Sequence, residues 1–461
     1  MQNIYDEVNS LDERCRIKYN LNEDILMENA SLSMMHYINK RYKKTKKVLI
    51  VCGPSNNGAD GLALARLLYK KYKINVCLPF QVKSNMAKLQ LKRCVSLNIQ
   101  VSKKIKDKDY DVVVDCLFGS GLNRDLDSTS ISIINKLNKL KAFKIACDIP
   151  SGINILGQVS KNAFYSDMTI TMGALKKSLF TDIAKEYVGK IKVSNLGIQR
   201  KIYEIKSNYF LLEKKDLKLP TRDNKISNKG TYGHLSVVIG EKSGAGILCA
   251  KAGFAFGCGL ITGIIENTNF IPSYIMKSNT VPFNTTALCI GMGLGSKYDK
   301  NILNNSISKV IDADLCYDKT ILSLLKQENI VLTPHPKEFC SLLKLTGMAN
   351  ISVKELQNNR FKYVSIFSKK YPSIVLLLKG TNVLISQNEK IYVNTLGSSI
   401  LSKGGSGDVL SGLIGSLLAQ GYNSLNAAIQ GSLAHTIAAL NFKKNNYSLT
   451  PKALIKEIKK L

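Results

Sequence analysis

The sequence predicts two successive α/β domains, each built on a largely parallel sheet with helices on both faces. Three observations carry that expectation. The chain has 461 residues, too many for one ordinary core and suited to two of roughly 200–250 residues. Short apolar runs alternate with helically spaced segments in both halves. Between them, the polar and charged stretch from Lys214 to Lys229, which contains Pro220, reads as a linker. The expected domains are 1–213 and 214–461. No internal repeat relates them, so two different activities are joined.

In the first half, strands are expected at 47–52, 74–78, 110–116, 144–149 and 168–172. Helical spacing lies between them, as from Gly61 to Tyr72. In the second half, strands are expected near 234–239, 260–265, 287–290, 309–312, 330–333, 374–378, 382–386 and 390–393. Such runs separated by helices imply mostly parallel pairing. The longest apolar stretch, Ala245 to Ile265, holds Lys251 and several glycines. It reads as a core helix running into a strand and not as a membrane span.

Composition excludes several classes. At 45% hydrophobic and 21% charged, the chain is ordinary globular protein, not a disordered one. Its 11 cysteines form no CxxC pair and sit largely in apolar runs. They read as free thiols in a reducing cytosol, which argues against disulfide and zinc scaffolds. The polar, acidic start, Met1 to Glu7, is wrong for a leader, so a cytoplasmic location is expected. The net charge of +31 is spread along the whole chain, without the aromatic interleaving of a strand binder. Neither nucleic acid nor membrane is expected as a partner. Abundant lysine, asparagine and isoleucine with no tryptophan suggest an AT-rich coding bias, and the charge can steer phosphorylated ligands.

The first candidate site follows the strand ending at Cys52. The turn from Gly53 to Gly61 leads into a helix, an arrangement that offers backbone N–H groups to anions. Two more strand ends carry polar, glycine-bearing loops: Asp115 to Gly121, with Asn123, Arg124 and Asp125 just beyond, and Asp148 to Gly152. In open α/β sheets such ends form one crevice. Asn57, Asp115 and Ser151 offer oxygen ligands suited to a hard cation.

The second site centres on Lys403 to Gly412, a GGSGD sequence opening an apolar helix to about Ala419. Glycines let several N–H groups point one way, forming an anion hole at the helix start. Asp408, in the first turn, is placed to take a proton from an attacking hydroxyl. Supporting segments are Lys229 to Leu235, Gly291 to Gly295, Asp312 to Asp314, Leu332 to Glu338 and Leu378 to Thr381. Of the four histidines, His335, set between two prolines, is the one expected to meet a ligand; His234 and His435 are left open.

On these residues the first half resembles the NAD(P)H-hydrate epimerase domain, over roughly 1–210. Met27 to Ala30, the Asn56 to Asp60 loop, the Asp115 loop and the Asp148 loop carry the likeness. The second half resembles the ribokinase-like NAD(P)H-hydrate dehydratase domain, over roughly 215–461, on all six segments above. The implied fold is a Rossmann-like three-layer α/β/α domain followed by a ribokinase-like α/β domain. By resemblance, the hydrated nucleotide is held in the first domain by Asn56, Asn57, Gly58, Ala59, Asp60, Gly119, Ser120, Gly121, Leu122, Asn123, Arg124, Asp125 and Asp148. Potassium is implied at Asn57, Asp115 and Ser151. In the second domain, Ile247, Gly293, His335 and Asp408 are implied to face the hydrated substrate. Lys379, Gly380, Thr381, Asn382, Val383 and Gly407 are implied to contact ADP or ATP, with magnesium on its phosphates.

The sequence departs from the families' pattern at Ser55 and Ala59, both usually glycine, and at Ile247, usually alanine. Lys337 replaces a glycine and Val383 a threonine. The expectation is a bifunctional repair enzyme acting on hydrated NADH and NADPH, with Asp148 and Asp408 as its catalytic acids and bases and ADP as the favoured donor. A homo-oligomer is expected. Two alternatives stay open. A small-molecule kinase would release a stable phosphorylated product. A binding protein with one dead domain would titrate nucleotide without turnover.

Overall fold

The computed structural model describes residues 1–461 apart from 43–45, 106–108, 123, 160, 266–270 and 297. The chain divides into two compact units, Asn3–Ser207 and Asn208–Leu461, the latter joined by Met1–Gln2.

The first unit carries β1 (Gln2–Tyr5), β2 (Lys47–Cys52), β3 (Lys73–Cys77), β4 (Val101–Ser102), β5 (Val112–Cys116), β6 (Phe143–Cys147), β7 (Met168–Met172), β8 (Leu175–Lys176) and β9 (Lys190–Ser194). Seven of these form one sheet in the order β4-β3-β2-β5-β6-β7-β9, parallel throughout. β1 pairs separately with β8. Both faces of the sheet are covered, which is why β5 is buried at every residue and its sequence is an unbroken Val-Val-Val-Asp-Cys run. Val48, Ile50, Val112 and Val114 feed the core under the helix Asn56–Leu68. Leu49, Val51 and Val113 point the other way, to Ile134 and Leu137 of the helix Ser128–Lys139. This period-two alternation builds the three layers.

The strand order reverses between β2 and β5, so the loops after these strands diverge and leave a crevice. Gly53 lies in that fork. A side chain there would meet the Leu117 carbonyl oxygen at 1.8 Å.

The second unit carries β10 (Tyr209–Leu212), β11 (His234–Val238), β12 (Leu260–Ile264), β13 (Met276–Ser278), β14 (Ala287–Ile290), β15 (Ser308–Ile311), β16 (Ile330–Leu332), β17 (Val375–Leu378), β18 (Val383–Gln387) and β19 (Lys390–Asn394). They pair in the order β13-β12-β11-β14-β15-β16-β17-β18-β19-β10. Pairing is parallel except for the β17–β18–β19 meander. The order again reverses, here between β11 and β14. Two loops meet at that point: the Lys242 N–H donates to the Gly293 carbonyl at 3.0 Å. The helices Ser243–Ala255, Ser406–Ala419 and Ser424–Asn441 pack on this sheet through one apolar core.

The expected strands all form, with ends shifted by one or two residues. Not anticipated were β1, β4, β8, β9, β10 and β13, all short. β10 pairs in parallel with β19, so the second sheet begins before residue 214. Within the expected linker, Lys214–Asp216 forms a 3-10 turn capped by Glu213, and residues 221–231 are exposed. All 11 cysteines are unbridged, and all but Cys340 are buried. Among the described residues no helix is long and apolar enough to cross a membrane.

Candidate active sites

In the first unit, the loop after β5 and the loop after β6 are tied through one buried carboxylate. Asp115 accepts from the Leu117 N–H at 3.1 Å, the Ser151 N–H at 2.8 Å and the Ser151 hydroxyl at 2.7 Å. The Ser151 oxygen in turn accepts from the Phe118 N–H at 2.9 Å. Burial pushes the Asp115 carboxyl up to about 6, against the pull of those hydrogen bonds. Among the described residues no cationic side chain bonds it. Asn57, at the start of the helix Asn56–Leu68, has a buried Nδ2 with no hydrogen-bond partner among the described residues. A side chain at Gly119 would meet Asn57 Oδ1 at 2.9 Å and Asp148 Oδ2 at 3.1 Å, so these three residues share one spot.

Asp148 sits at φ +68°, a left-handed conformation that costs a non-glycine residue roughly 1–3 kcal/mol. That turn aims its carboxylate inward. Oδ2 accepts from the Ser120 N–H at 3.1 Å, and Oδ1 accepts from the Lys176 ammonium at 2.5 Å and the Met172 N–H at 3.2 Å. Burial alone would raise the Asp148 carboxyl, but the Lys176 charge outweighs it and holds the group below the ordinary carboxylate range. Lys176 is 1% exposed. Sequence reasoning missed it, since nothing local separates it from dozens of surface lysines.

Beside this lies a cleft of about 360 Å³, walled by Asp12, Glu23, Met27, Asn56, Asp60 and Met172, among others. Asp12 accepts from the Tyr203 hydroxyl at 2.7 Å; neither residue was anticipated. Asn56 donates to Glu23. The remaining expected residues divide. Gly58 lies against the Gly53 carbonyl, 1.9 Å from where its side chain would be. Leu122 buries its side chain in the apolar core, leaving its backbone to the loop. Gly121, Arg124 and Asp125 are exposed, and Asn123 lies outside the described residues. Neither departure strains the loop. Ser55 has φ −115°, open to any residue, and Ala59 packs against Met27, Met86 and Ala87.

In the second unit, Gly405 caps the helix Ser406–Ala419 at φ +87°. A side chain there would meet Pro451 at 2.7 Å and Leu248 at 2.9 Å, so glycine is required twice over. Asp408, half-buried in the first turn, makes no hydrogen bond among the described residues. Burial, then the Asp312 charge, pushes its carboxyl up to about 6. Asp312, at the end of β15, binds the Lys379 ammonium at 2.8 Å and accepts from the Ser411 hydroxyl at 2.8 Å. A side chain at Gly407 would sit 3.4 Å from Lys379 Nζ. The glycine loop, Asp408 and the end of β17 therefore converge.

Arg360 was not anticipated. It is 4% exposed and donates to the carbonyls of Leu378, Lys379 and Asn382 at 3.1, 3.1 and 2.7 Å. Its guanidinium occupies the space a side chain at Gly380 would need, at 2.6 Å. It thus shapes the loop that carries Lys379, Gly380, Thr381 and Asn382. Val383 is buried in the apolar core, so its missing hydroxyl leaves no gap at the surface.

His335 caps the helix Pro336–Leu345. Its Nδ1 accepts from the Lys337 and Glu338 N–H groups at 3.1 and 3.2 Å, while Nε2 lies 3.0 Å from Glu338 Oε1. Those bonds fix the proton on Nε2. Gly293, at φ +58°, is crowded by Lys242. Ile247 is half-buried against the core. The open histidines are satisfied structurally. His234 contacts Asn284 and Thr262 at 2.9 and 2.7 Å. His435 contacts the Ser406 carbonyl at 3.0 Å, and burial lowers it to about 4.

The fold and sites define a fusion of two α/β nucleotide-handling domains. Residues 235–460 match the family described as NAD(P)H-hydrate dehydratase, and residues 23–178 match that described as YjeF-related protein N-terminus. The bifunctional NAD(P)H-hydrate repair enzyme Nnr of Helicobacter pylori is 44% identical over 471 residues, covering all of both chains. The Dictyoglomus turgidum enzyme of that name is 30% identical, covering 98% of this chain and 96% of its own. A solved ADP/ATP-dependent NAD(P)H-hydrate dehydratase from Bacillus subtilis, co-crystallised with ATP and magnesium, aligns with TM-score 0.44 at 23% identity, over 52% of this chain and 92% of that one. The chain belongs to the family of bifunctional NAD(P)H-hydrate repair enzymes, with an epimerase domain followed by an ADP/ATP-dependent dehydratase domain.

Proposed function

We propose that residues 1–213 interconvert the two C6 epimers of hydrated NADH and NADPH, and that residues 214–461 dehydrate the S epimer, with ADP as the favoured donor. The observation that carries this is Asp408: a carboxylate without a hydrogen-bond partner, at the mouth of a glycine-capped helix beside the Asp312–Lys379 pair.

In the dehydratase, Asp408 accepts the proton of the C6 hydroxyl as that oxygen attacks the donor's terminal phosphorus. Backbone N–H groups from Gly404 to Gly407 take up charge on the transferring group. Lys379, held by Asp312, meets the donor phosphates with Gly380, Thr381, Asn382, Val383 and Gly407 around the nucleotide. Ile247, Gly293 and His335 bound the substrate. Phosphate then leaves from C6 more readily than hydroxide, driven by the ring-nitrogen lone pair, and the resulting iminium loses a proton from C5 to water or the departing phosphate, which restores the C5–C6 double bond. Magnesium would neutralise donor phosphate charge.

In the epimerase, the hydrated nucleotide meets Asn56 to Asp60, the Gly119 to Asp125 loop and Asp148. The nitrogen lone pair expels the C6 oxygen, and water returns to the other face of the iminium. Asp148, kept ionised by Lys176, accepts the proton of the incoming water. Asn57, Asp115 and Ser151 fit a monovalent cation: their donor set is oxygen, and the buried Asp115 charge lacks a bonded cation. Potassium there would offset that charge and hold the two loops together. A cytoplasmic location accompanies this reading.

The test is incubation with mixed-epimer hydrated NADH and ADP or ATP, following reduced-nicotinamide absorbance. Full recovery with free phosphate released supports both activities. A stable phosphorylated product would instead identify a kinase, and recovery of the S fraction alone would remove the epimerase reading.

A further inference from the structure

Granted the epimerase reading of the first unit, we propose that Asp60 is the proton donor of the reaction, working opposite an ionised Asp148. The iminium route needs two groups in different states. One must hand a proton to the departing C6 oxygen, and the other must take one from the water that returns. Asp148 is unsuited to be the donor: its Oδ1 is held by Lys176 at 2.5 Å and the Met172 N–H at 3.2 Å, and the Lys176 charge keeps its carboxyl below the ordinary carboxylate range.

Asp60 is built the other way. It stands in the cleft wall with Asn56 on the same helix. The helix is anchored there by the Ser31 hydroxyl, which donates to the Asp60 backbone carbonyl at 3.0 Å. Among the described residues no cation pairs with its carboxyl, and its hydrogen-bond contact is the Cys147 thiol, 3.9 Å from Oδ2. The groups that face it are the carboxylates of Asp12, Glu23 and Asp148, the more distant Lys176 ammonium, and the thiols of Cys52, Cys116 and Cys147. Burial first, and then the charges of Asp148, Asp12 and Glu23, drive it well above the carboxylate range. That surrounding favours the protonated form of Asp60. Two carboxyls whose surroundings push them in opposite directions divide into an acid and a base.

The step balances. The Asp60 proton moves to the C6 hydroxyl, the C6–O bond breaks, and the nitrogen pair forms the C6–N double bond as water leaves. Water then adds to the opposite face, and its proton goes to Asp148. The proton passes back to Asp60 through cleft water, and nothing is consumed. Asp12 and Glu23, on the same wall, face the cationic ring that exists between the two steps.

The experiment uses Asp60→Asn in the full chain, with S-epimer dehydration measured on the same preparation. Loss of a positioned acid should slow enzymatic epimerisation by about 10²–10⁴-fold and leave S-epimer dehydration, which takes place in the second unit, at the wild-type rate. Asp60→Glu should restore part of the rate. The wild-type epimerase should also lose activity as pH rises and the donor ionises, and the residual activity of Asp60→Asn should lack that alkaline fall. Wild-type epimerisation with an unimpaired Asp60→Asn would overturn the assignment of Asp60 alone. No enzymatic epimerisation by the wild type would overturn the epimerase reading itself. If Asp60→Asn does not fold, a flat wild-type profile through the alkaline range overturns the proposal without it.

Discussion

The Asp312 carboxylate holds the Lys379 ammonium at 2.8 Å, joining the end of β15 to the end of β17 across β16. Asp312 is 2% exposed. Burial alone would lower the Lys379 ammonium, but the charges of Asp312 and Glu338 outweigh it and raise it above its ordinary value. The cation proposed to meet the donor phosphates is thus held by a buried anion.

Asp312→Asn should therefore damage both fold and donor binding. Removing one charge of a buried pair costs roughly 3–5 kcal/mol, since the other is left uncompensated. The expected result is a lower melting temperature for the second unit and a KM for ADP that rises more than kcat falls. Ser411→Ala, which removes a single hydrogen bond to the same carboxylate, should cost only about 1.5–3 kcal/mol. Equal KM values for Asp312→Asn and wild type would show that Lys379 does not need its partner.

Potassium should stabilise the first unit specifically. A cation that binds only the folded state raises stability in proportion to the logarithm of its concentration. Melting in potassium chloride, against a bulky cation at equal ionic strength, should show a higher transition for the first unit, and Asp115→Asn should abolish the difference. Equal melting of wild type in both salts would remove the cation from Asn57, Asp115 and Ser151.

A fragment beginning at Asn208 should fold better than one beginning at Lys214. β10 pairs with β19 along Tyr209–Leu212, and Phe210 stacks on Tyr392 with ring centroids 5.1 Å apart. Starting at Lys214 strips that strand and leaves β19 as a bare edge, which invites aggregation. Size-exclusion profiles of the two fragments decide it. Identical monodisperse behaviour would show that β10 is dispensable.

What the sequence made legible, and what it hid, follows from the range of the forces involved. β5 could be read because burial on both faces demands five consecutive non-polar or capped residues. The helix from Ser406 could be read because its glycines serve one local turn. β9 is a short run with lysines at two of its five positions, so it resembles an exposed loop. β10 adjoins the charged linker and gains its strand character only from β19. Lys176 and Arg360 are hidden for another reason. Each is one cation among 65 lysines and arginines, and only tertiary packing buries it against Asp148 or three carbonyls. His335 was expected to meet a ligand, and its exposed ring leaves room for one. That Nδ1 caps a helix depends on backbone geometry that composition does not encode.

Asp408→Asn should abolish dehydration, leave nucleotide binding nearly intact, and not destabilise the fold at neutral pH. Nucleotide is expected to rest on backbone amides and the Lys379 segment, none of which the change removes. The helix after Gly407 should also persist. Its cap is Gly405, not Asp408, and asparagine keeps the size of aspartate. Turnover should fall by about 10²–10⁴-fold, because asparagine cannot accept the hydroxyl proton. Asp314 is poorly placed to substitute, since its carboxylate already accepts from the Gly295 N–H at 3.0 Å. The pH dependence has a definite sign. The Asp408 carboxyl titrates at about 6, and only its ionised form is a base. Wild-type turnover should thus rise with pH through about 6 and level off above it. Stability runs the other way. A carboxyl whose folded value exceeds its unfolded value favours folding when protonated. Its ionisation therefore costs the fold nothing below about pH 4, and the full cost is present above about 6. Asparagine removes that cost, so the variant should melt no lower than wild type at pH 7.5 and should lose any advantage at pH 4. Calorimetry, nucleotide titration and turnover on one preparation separate these effects. Turnover close to wild type, or a melting advantage that grows as pH falls, would show that Asp408 is not the buried base.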